Sequence, residues 1–404
     1  MERRVVVTGI GVVSALGKNA HQFWEALVKG ESGIRRIEQV DVTGLKFQNG
    51  AEAHNWEPQE HFESKQLDFV DRFAQFAVVA AREAVADAGI QWTQSLREQT
   101  AIVTGSCVGG KATEDDSFQE LYLRKKTRVS PLTIMRTMEN AGASHISIET
   151  GITGPAFTLS TACSSANHAV GQAFRMVRSG DVEMALAGGS EAPFNFGHLK
   201  AWEAMRVVAP DTCRPFCADR LGMVLGEGGA MMVLENREAA LARGAHIYGE
   251  IVGFGMSSDA HHLTQASTEG PARAITAALR DASLQAEQIG YINAHGTATQ
   301  VNDPAEVAAI RLALGGHAER VAVSSTKSMH GHALGAAGAI EAIATILALR
   351  NSILPPTANF TKPDPRCDID VIPNTARRAE VEYALSNSFA FGGLNAVLAF
   401  RSPR

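Results

Sequence analysis

Ser160-Thr161-Ala162-Cys163-Ser164-Ser165-Ala166 is the stretch on which the reading of this 404-residue chain turns. Phe157–Ser160 ahead of it reads as a buried strand, and Ser164 to Val177 behind it as a small-residue helix. The same order returns in the second half, where Ser325-Thr326-Lys327-Ser328 also opens a small-residue helix. Working outward, Ala84-Val85-Ala86-Asp87-Ala88 is echoed by Ala278-Leu279-Arg280-Asp281-Ala282. Each is followed by a strand, Thr100–Thr104 and Tyr291–Asn293. Glu183–Ala187 and Tyr383–Ser386 are strands running into glycine turns. A β-α-β-α-β order repeated at long period predicts an α/β fold of two similar halves. No low-complexity linker separates them, so one continuous core is expected. The boundary falls near residue 250: residues 1–250 carry the cysteine and residues 251–404 the histidines discussed below. Residues 111–150 are polar, are broken by Ser130-Pro131, and read as an insertion on the surface or at an interface.

Composition narrows the function classes. Hydrophobic residues make up 45% and charged residues 20%, which excludes a disordered chain, a collagen and a small disulfide scaffold. A net charge of −6 argues against a general nucleic-acid binder. The 5 cysteines, Cys107, Cys163, Cys213, Cys217 and Cys367, are odd in number and widely spaced, as expected of free thiols in a reducing compartment. Cys213 and Cys217 resemble half a zinc site, but no second pair completes it. The opening MERRVVVTGIG runs straight into a strand and has no signal-peptide pattern. Its glycines suggest a dinucleotide turn, yet Ser14 stands where a third glycine belongs, so a core strand and turn is the better reading. The apolar run Ala342–Leu349 is short of the roughly 18–20 residues of a membrane span. A soluble, cytoplasmic protein is expected.

Cys163 is the sharpest chemical feature. At a helix N-terminus it meets unpaired N–H groups, which favour a thiolate and can hold an oxyanion. The helix end alone would bring a thiol from about 8.5 towards roughly 7–8. His295, in Asn293-Ala294-His295-Gly296-Thr297-Ala298-Thr299, lies just after a strand beside a glycine. His330 and His332, in Ser328-Met329-His330-Gly331-His332, do the same, and spacing does not say which of the two reaches a shared cleft. His261-His262 is a loop pair without an assigned role. A metal site is disfavoured because the histidines lack the H-x-x-x-H spacing of a helical ligand pair. Asn387-Ser388-Phe389-Ala390-Phe391-Gly392-Gly393-Leu394-Asn395 is a glycine-rich loop able to bring backbone N–H groups and an aromatic lid to a substrate. Arg124, Lys125, Lys126 and Arg128 form a basic run that could dock an acidic partner.

At these residues the chain resembles the β-ketoacyl-acyl-carrier-protein synthases of the elongating, Cys-His-His type. The likeness runs end to end, through VVVTGIGVVSALG, TACSSANHA, GEGGA, NAHGTATQVND, STKSMHGHALGAAG and NSFAFGGLN. It implies a thiolase-like fold with duplicated α-β-α-β-α layers and a homodimer or a ketosynthase-like heterodimer. It implies decarboxylative condensation of an acyl-cysteine with a malonyl group carried on acyl carrier protein, with no metal and no cofactor beyond the carrier's phosphopantetheine. By resemblance, Cys163 is the acyl acceptor, and His332 rather than His330 joins His295. Lys327 and Glu341 organise the site, while Asp303 and Glu306 are structural. Thr297 and Thr299 contact pantetheine, Phe391 is the gating aromatic with Gly392 and Gly393 behind it, and Val108 lines the acyl pocket. The chain departs from the family at Ala390, where glycine is usual, at Leu394, where threonine is usual, and at Asp219-Arg220-Leu221-Gly222-Met223. LKAWEAMRVVAPDTCRPF is closer to specialised relatives, so a primary metabolic role does not follow. A thiolase would want a second cysteine in the C-terminal loop, which has none. A cysteine hydrolase would want a Cys-His-acid triad. A non-catalytic, pocket-shaping subunit of a heterodimer is the remaining alternative, against which Cys163, His295 and His332 are all retained.

Overall fold

The computed structural model describes residues 3–403. Its main strands are β1 (Val5–Ser14), β2 (Thr100–Gly105), β3 (Ala156–Leu159), β4 (Met184–Glu191), β5 (Gly228–Asn236), β6 (Gly249–Ser258), β7 (Ile289–Asn293), β8 (Ala322–Ser324), β9 (Tyr383–Ala390) and β10 (Leu394–Arg401). They form one sheet in the order β8-β7-β9-β10-β6-β1-β5-β4-β2-β3. The order is a palindrome about the β6–β1 seam, where Val5 and Val7 face Ile251 and Gly249. In both arms the two outer pairings are parallel and the two inner ones antiparallel. The chain therefore draws the same topology twice, as the echoed segments lead one to expect.

The principal helices are α1 (Arg72–Ala88), α2 (Lys111–Tyr122), α3 (Ala141–Thr150), α4 (Ser165–Ser179), α5 (Phe196–Met205), α6 (Glu269–Asp281), α7 (Asn302–Leu314) and α8 (Ala337–Asn351). α1 starts where Asp71 accepts the N–H of Phe73 and stops at Gly89 in the left-handed region. It covers β1 and β5, and its counterpart α6 covers β6 and β10. α4 and α8 touch each other and strands of both arms, so they form the middle of an α-β-α-β-α stack. α8 is buried from Ala337 to Leu349 and, Glu341 and Thr345 apart, apolar around that whole stretch, as suits a central helix. With the turn before it, Leu334–Asn351 is long and apolar enough to cross a membrane, longer than the Ala342–Leu349 run suggests, but 89% of it is buried inside the fold.

Four sequence expectations need correction. Phe157–Ser160, expected as a buried strand, is the half-exposed edge strand β3, because no further strand covers it. Gly188-Gly189, expected as a turn, lies inside β4, paired with Met231 and Ala230 of β5. Ser325–Ser328 does not open the long second helix directly. A single turn, Lys327–His330, and a loop through His332 come first, and α8 starts only at Ala337. Nor is 111–150 wholly superficial, because Ala141, Ala143 and Ile146 of α3 are buried in a core cluster with α1. Its earlier part does expose large apolar side chains, among them Tyr122, Leu123, Ile134 and Met135.

Close approach of α4 to β2 sets the position of Cys163. A Cβ on Gly105 would lie 2.4 Å from the backbone nitrogen of Ala166. Gly105→Ala is therefore expected to cost about 1–3 kcal/mol of stability, whereas Gly44→Ala, with nothing within 4 Å, costs little. Denaturant unfolding of the two variants beside the parent checks this; equal midpoints would refute it.

Candidate active site

The elbow that presents Cys163 is built from its own neighbours. After β3 the chain reverses through Ala162, whose φ of 51° lies in the left-handed region that alanine rarely adopts. Ser165 Oγ accepts the N–H of Thr161 (2.9 Å) and donates to the carbonyl of Ala162 (2.6 Å), and Ser164 Oγ donates to the carbonyl of Thr161 (2.8 Å). These bonds hold the strained turn and leave Cys163 at the N-terminal end of α4. The backbone N–H groups of Cys163 itself and of Phe391 both face the sulfur. They are the two donors an oxyanion formed at this position would meet.

The thiol is not the low-pKa group that a helix N-terminus alone implies. Burial pushes it up to about 11, against the opposing pull of Lys327 and the two N–H donors. Desolvation of an enclosed sulfur outweighs the helix end.

His295 follows β7 on an extended segment that α7 clamps by its main chain. Glu306 Oε1 accepts the N–H of His295 (2.8 Å) and Oε2 that of Gly296 (2.7 Å). Asp303 accepts the N–H groups of Ala298 (3.1 Å) and Phe216 (2.8 Å), so both acids shape the loop that the ring stands on. His332 is held in the same way: its N–H donates to the carbonyl of Val224 (2.7 Å), and its carbonyl accepts from Gly226 (2.9 Å). The two rings stand edge to face with centroids 5.3 Å apart. His332 has no hydrogen-bond partner at either ring nitrogen, and His295 has none at Nδ1. Gly331, at φ 66°, turns the chain between the two candidates. His330 points away, its Nε2 on Thr326 Oγ1 (3.0 Å) and its ring near Phe23. The pair open in the sequence is thus resolved in favour of His332.

Behind the rings, Lys327 Nζ bonds Glu341 of α8, and both side chains are wholly enclosed. Burial pushes the Glu341 carboxyl up while Lys327 holds it down against that. Burial, then the Lys327 ammonium, drives both His295 and His332 well below the usual histidine range. At neutral pH both imidazoles are uncharged and each carries one N–H.

Cys163, His295 and His332 share a cavity of about 260 Å³ with Thr297, Thr299, Phe391 and Gly393. Exposed Leu221, Leu263 and Val301 form its outer rim. Sγ and one nitrogen of each ring lie within 4.8 Å of one another, a spacing that would suit a soft cation and that helical spacing in the sequence does not show. Gly393, at φ 71°, admits no side chain, since a Cβ would sit 2.5 Å from that of Asp259. The remaining sequence candidates lie elsewhere. Val108 packs outside the cavity lining, among Phe194, Leu199 and Leu334, in an apolar cluster that reaches the cavity through Met223. Arg124, Lys125, Lys126 and Arg128 are exposed beyond α2, and Arg124 and Lys126 both pair with Glu120. Two features escaped the sequence reading. Buried Glu191 accepts from Ser106 Oγ (2.9 Å) and from the N–H groups of Cys107 (2.8 Å), Val108 (3.2 Å) and Gly335 (3.0 Å). The loop of His261 and His262 closes one cavity wall through Leu263, whose carbonyl accepts from Gly392 N–H (2.8 Å). An acid directly after a Gly-Gly-Ser strand end was the available signal for the first.

Comparison with known proteins follows the same lines. Residues 2–240 match the family described as beta-ketoacyl synthase, N-terminal domain, and residues 248–361 the beta-ketoacyl synthase, C-terminal domain. The chain is 47% identical to nodulation protein E of Rhizobium sp. (strain N33), covering 99% of this chain and 100% of that one. It is 39% identical to 3-oxoacyl-[acyl-carrier-protein] synthase 2 of Staphylococcus aureus (strain COL), covering 99% and 98%. Among solved structures, the ishigamide ketosynthase/chain length factor superposes with a TM-score of 0.95 at 37% identity over 100% of both chains.

A thiol held near 11 gains about tenfold in thiolate for each pH unit through neutrality. The rate of Cys163 carboxamidomethylation by iodoacetamide, followed by peptide mass, should therefore climb from pH 7 to pH 9 without levelling. A plateau near pH 7 would contradict the burial argument.

Proposed function

This chain belongs to the β-ketoacyl synthase family and is a condensing enzyme, and we propose that it works with Cys163 as acyl acceptor and His295 and His332 as paired donors to one enolate oxygen. The observation that carries this reading is the convergence of one nucleophile, two main-chain N–H donors and two uncharged imidazoles on a single cavity. One sulfur must first accept an acyl group and later release it. Both steps place negative charge on an oxygen held by the N–H groups of Cys163 and Phe391.

An acyl thioester carried on acyl carrier protein meets Cys163. As Sγ attacks, its proton passes to a neutral imidazole within reach and on to the departing pantetheine sulfur. The products are acyl-Cys163 and the free carrier thiol. A malonyl thioester then occupies the cavity, with Thr297 and Thr299 along its arm. Loss of CO₂ leaves an enolate whose oxygen takes N–H bonds from His295 and His332. Because both rings are already uncharged, neither must lose a proton before donating. The carbanion attacks the acyl carbonyl, and collapse expels the Cys163 thiolate, which takes a proton from solvent water. The product is a β-ketoacyl carrier longer by two carbons.

The reading needs no metal. The enclosed Lys327 ammonium, whose field reaches all three members of the cluster, opposes a divalent cation there. The basic run at Arg124, Lys125, Lys126 and Arg128 is assigned to carrier docking on an otherwise acidic protein. The exposed apolar side chains of 118–138 and the edge strand β3 are assigned to a second subunit, either another copy or a related chain. Free, unpaired cysteines suit a cytoplasmic setting.

Purified Cys163→Ala is expected to form no acyl-enzyme by intact mass and to condense no acyl and malonyl carriers. His295→Ala and His332→Ala should each lower decarboxylative condensation about 10²–10³-fold and still show acyl-Cys163. Condensation by Cys163→Ala would end the proposal.

A further inference from the structure

Phe391 does two things at once. Its main-chain N–H faces Cys163, and its ring forms cavity wall. The far side of that ring is stacked on Trp202 of α5, with centroids 6.2 Å apart and planes 25° from parallel. Trp202 does not line the cavity. It packs with Cys107, Val108 and Leu334 in an adjoining apolar cluster, whose Met223 and Val207 also reach the cavity wall. The Phe391–Trp202 contact thus lies, with Met223 and Val207, on the seam between the space that holds the sulfur and the apolar region around Val108.

Trp202 is itself pinned. Its indole N–H donates to Nε2 of His198, one helical turn earlier, at 2.8 Å, and the two rings stand edge to face. Indole only donates, so this nitrogen of His198 must be unprotonated. Burial and the Lys111 ammonium keep the imidazole down to about 4, which preserves the acceptor across the physiological range. The backbone below is anchored too: Asn195 Oδ1 accepts the N–H of His198 (2.9 Å), and Leu199 is fully buried. Facing this fixed platform is a tight turn of two left-handed glycines, Gly392 at φ 83° and Gly393 at φ 71°, directly after Phe391.

We propose that Trp202, pinned by His198, is the latch that holds Phe391 closed, and that this pair sets how readily a long chain on Cys163 passes behind the ring into the apolar cluster. His198 and Trp202 are positioning residues that act through Phe391. The inference rests on Cys163 being the site of acylation, but its test does not.

Alkylation of Cys163 by N-alkyl iodoacetamides needs only the thiol. The measured quantity is the rate of the N-decyl reagent divided by that of the N-methyl reagent, by peptide mass. His198→Ala and Trp202→Phe each break the indole–imidazole bond, the first by removing the acceptor ring and the second while keeping an aromatic ring in place. Both should raise the ratio roughly three- to tenfold with the N-methyl rate unchanged. His198→Gln, which restores an acceptor oxygen, should return it to the parent value. A ratio unmoved in His198→Ala and Trp202→Phe, or a failed rescue by glutamine, would overturn the latch. Decanoyl-thioester acylation of the parent, run in parallel, separates the two ideas: a shifted alkylation ratio without acylation at Cys163 keeps the latch and removes the functional reading.

Discussion

A single enclosed ammonium sets the chemistry of this molecule. Lys327 is shut off from solvent and paired with Glu341, an arrangement that is costly to bury and that leaves an uncompensated charge if either partner is lost. Its field reaches Cys163, His295, His330 and His332. On the histidines it acts in the same direction as burial and holds them uncharged. On the cysteine it acts against burial and favours the thiolate. One charge therefore prepares both a neutral donor pair and a nucleophile, without touching the cavity itself.

Duplication explains how these groups meet. Each arm of the sheet ends a parallel strand at the cavity, β3 before Cys163 and β8 before Lys327. The first arm uses that position for a tight elbow into α4. The second interrupts it with a turn and the Gly331 bend, which turns His332 inward and sends Lys327 back towards α8. His295 comes from the end of β7, whose counterpart β2 ends at Gly105, the residue that lets α4 approach. Equivalent strand ends thus do different work, and the palindromic sheet brings them to one place.

Much of this was legible in the residues. Short apolar runs located β2, β4, β7 and β9, though β4 runs on through Gly188-Gly189 where a turn was expected, and the echoed segments revealed the repeat. Cys163 and His295 stood out because strand-end loops aim side chains into clefts. Other features depend on distances no local pattern contains. The thiol pKa follows from how completely the sulfur is enclosed, which overrode the helix-end effect visible in the sequence. The choice of His332 over His330 rests on one positive φ at Gly331. Glu306 and Asp303 matched acidic positions, but their part in clamping the His295 loop by its own N–H groups appears only once α7 is packed. α3 looked superficial because its buried alanines and Ile146 sit in a polar stretch.

The most direct test of the central claim removes the charge without leaving an orphan. In the double variant Lys327→Met with Glu341→Gln, the pH dependence of malonyl-thioester decarboxylation is compared with that of the parent. Loss of the ammonium raises the histidine pKa values, so the rings acquire a second proton at higher pH. The account predicts that the acid limb moves to higher pH. An acid limb at the same pH in both proteins would show that Lys327 does not keep the imidazoles neutral.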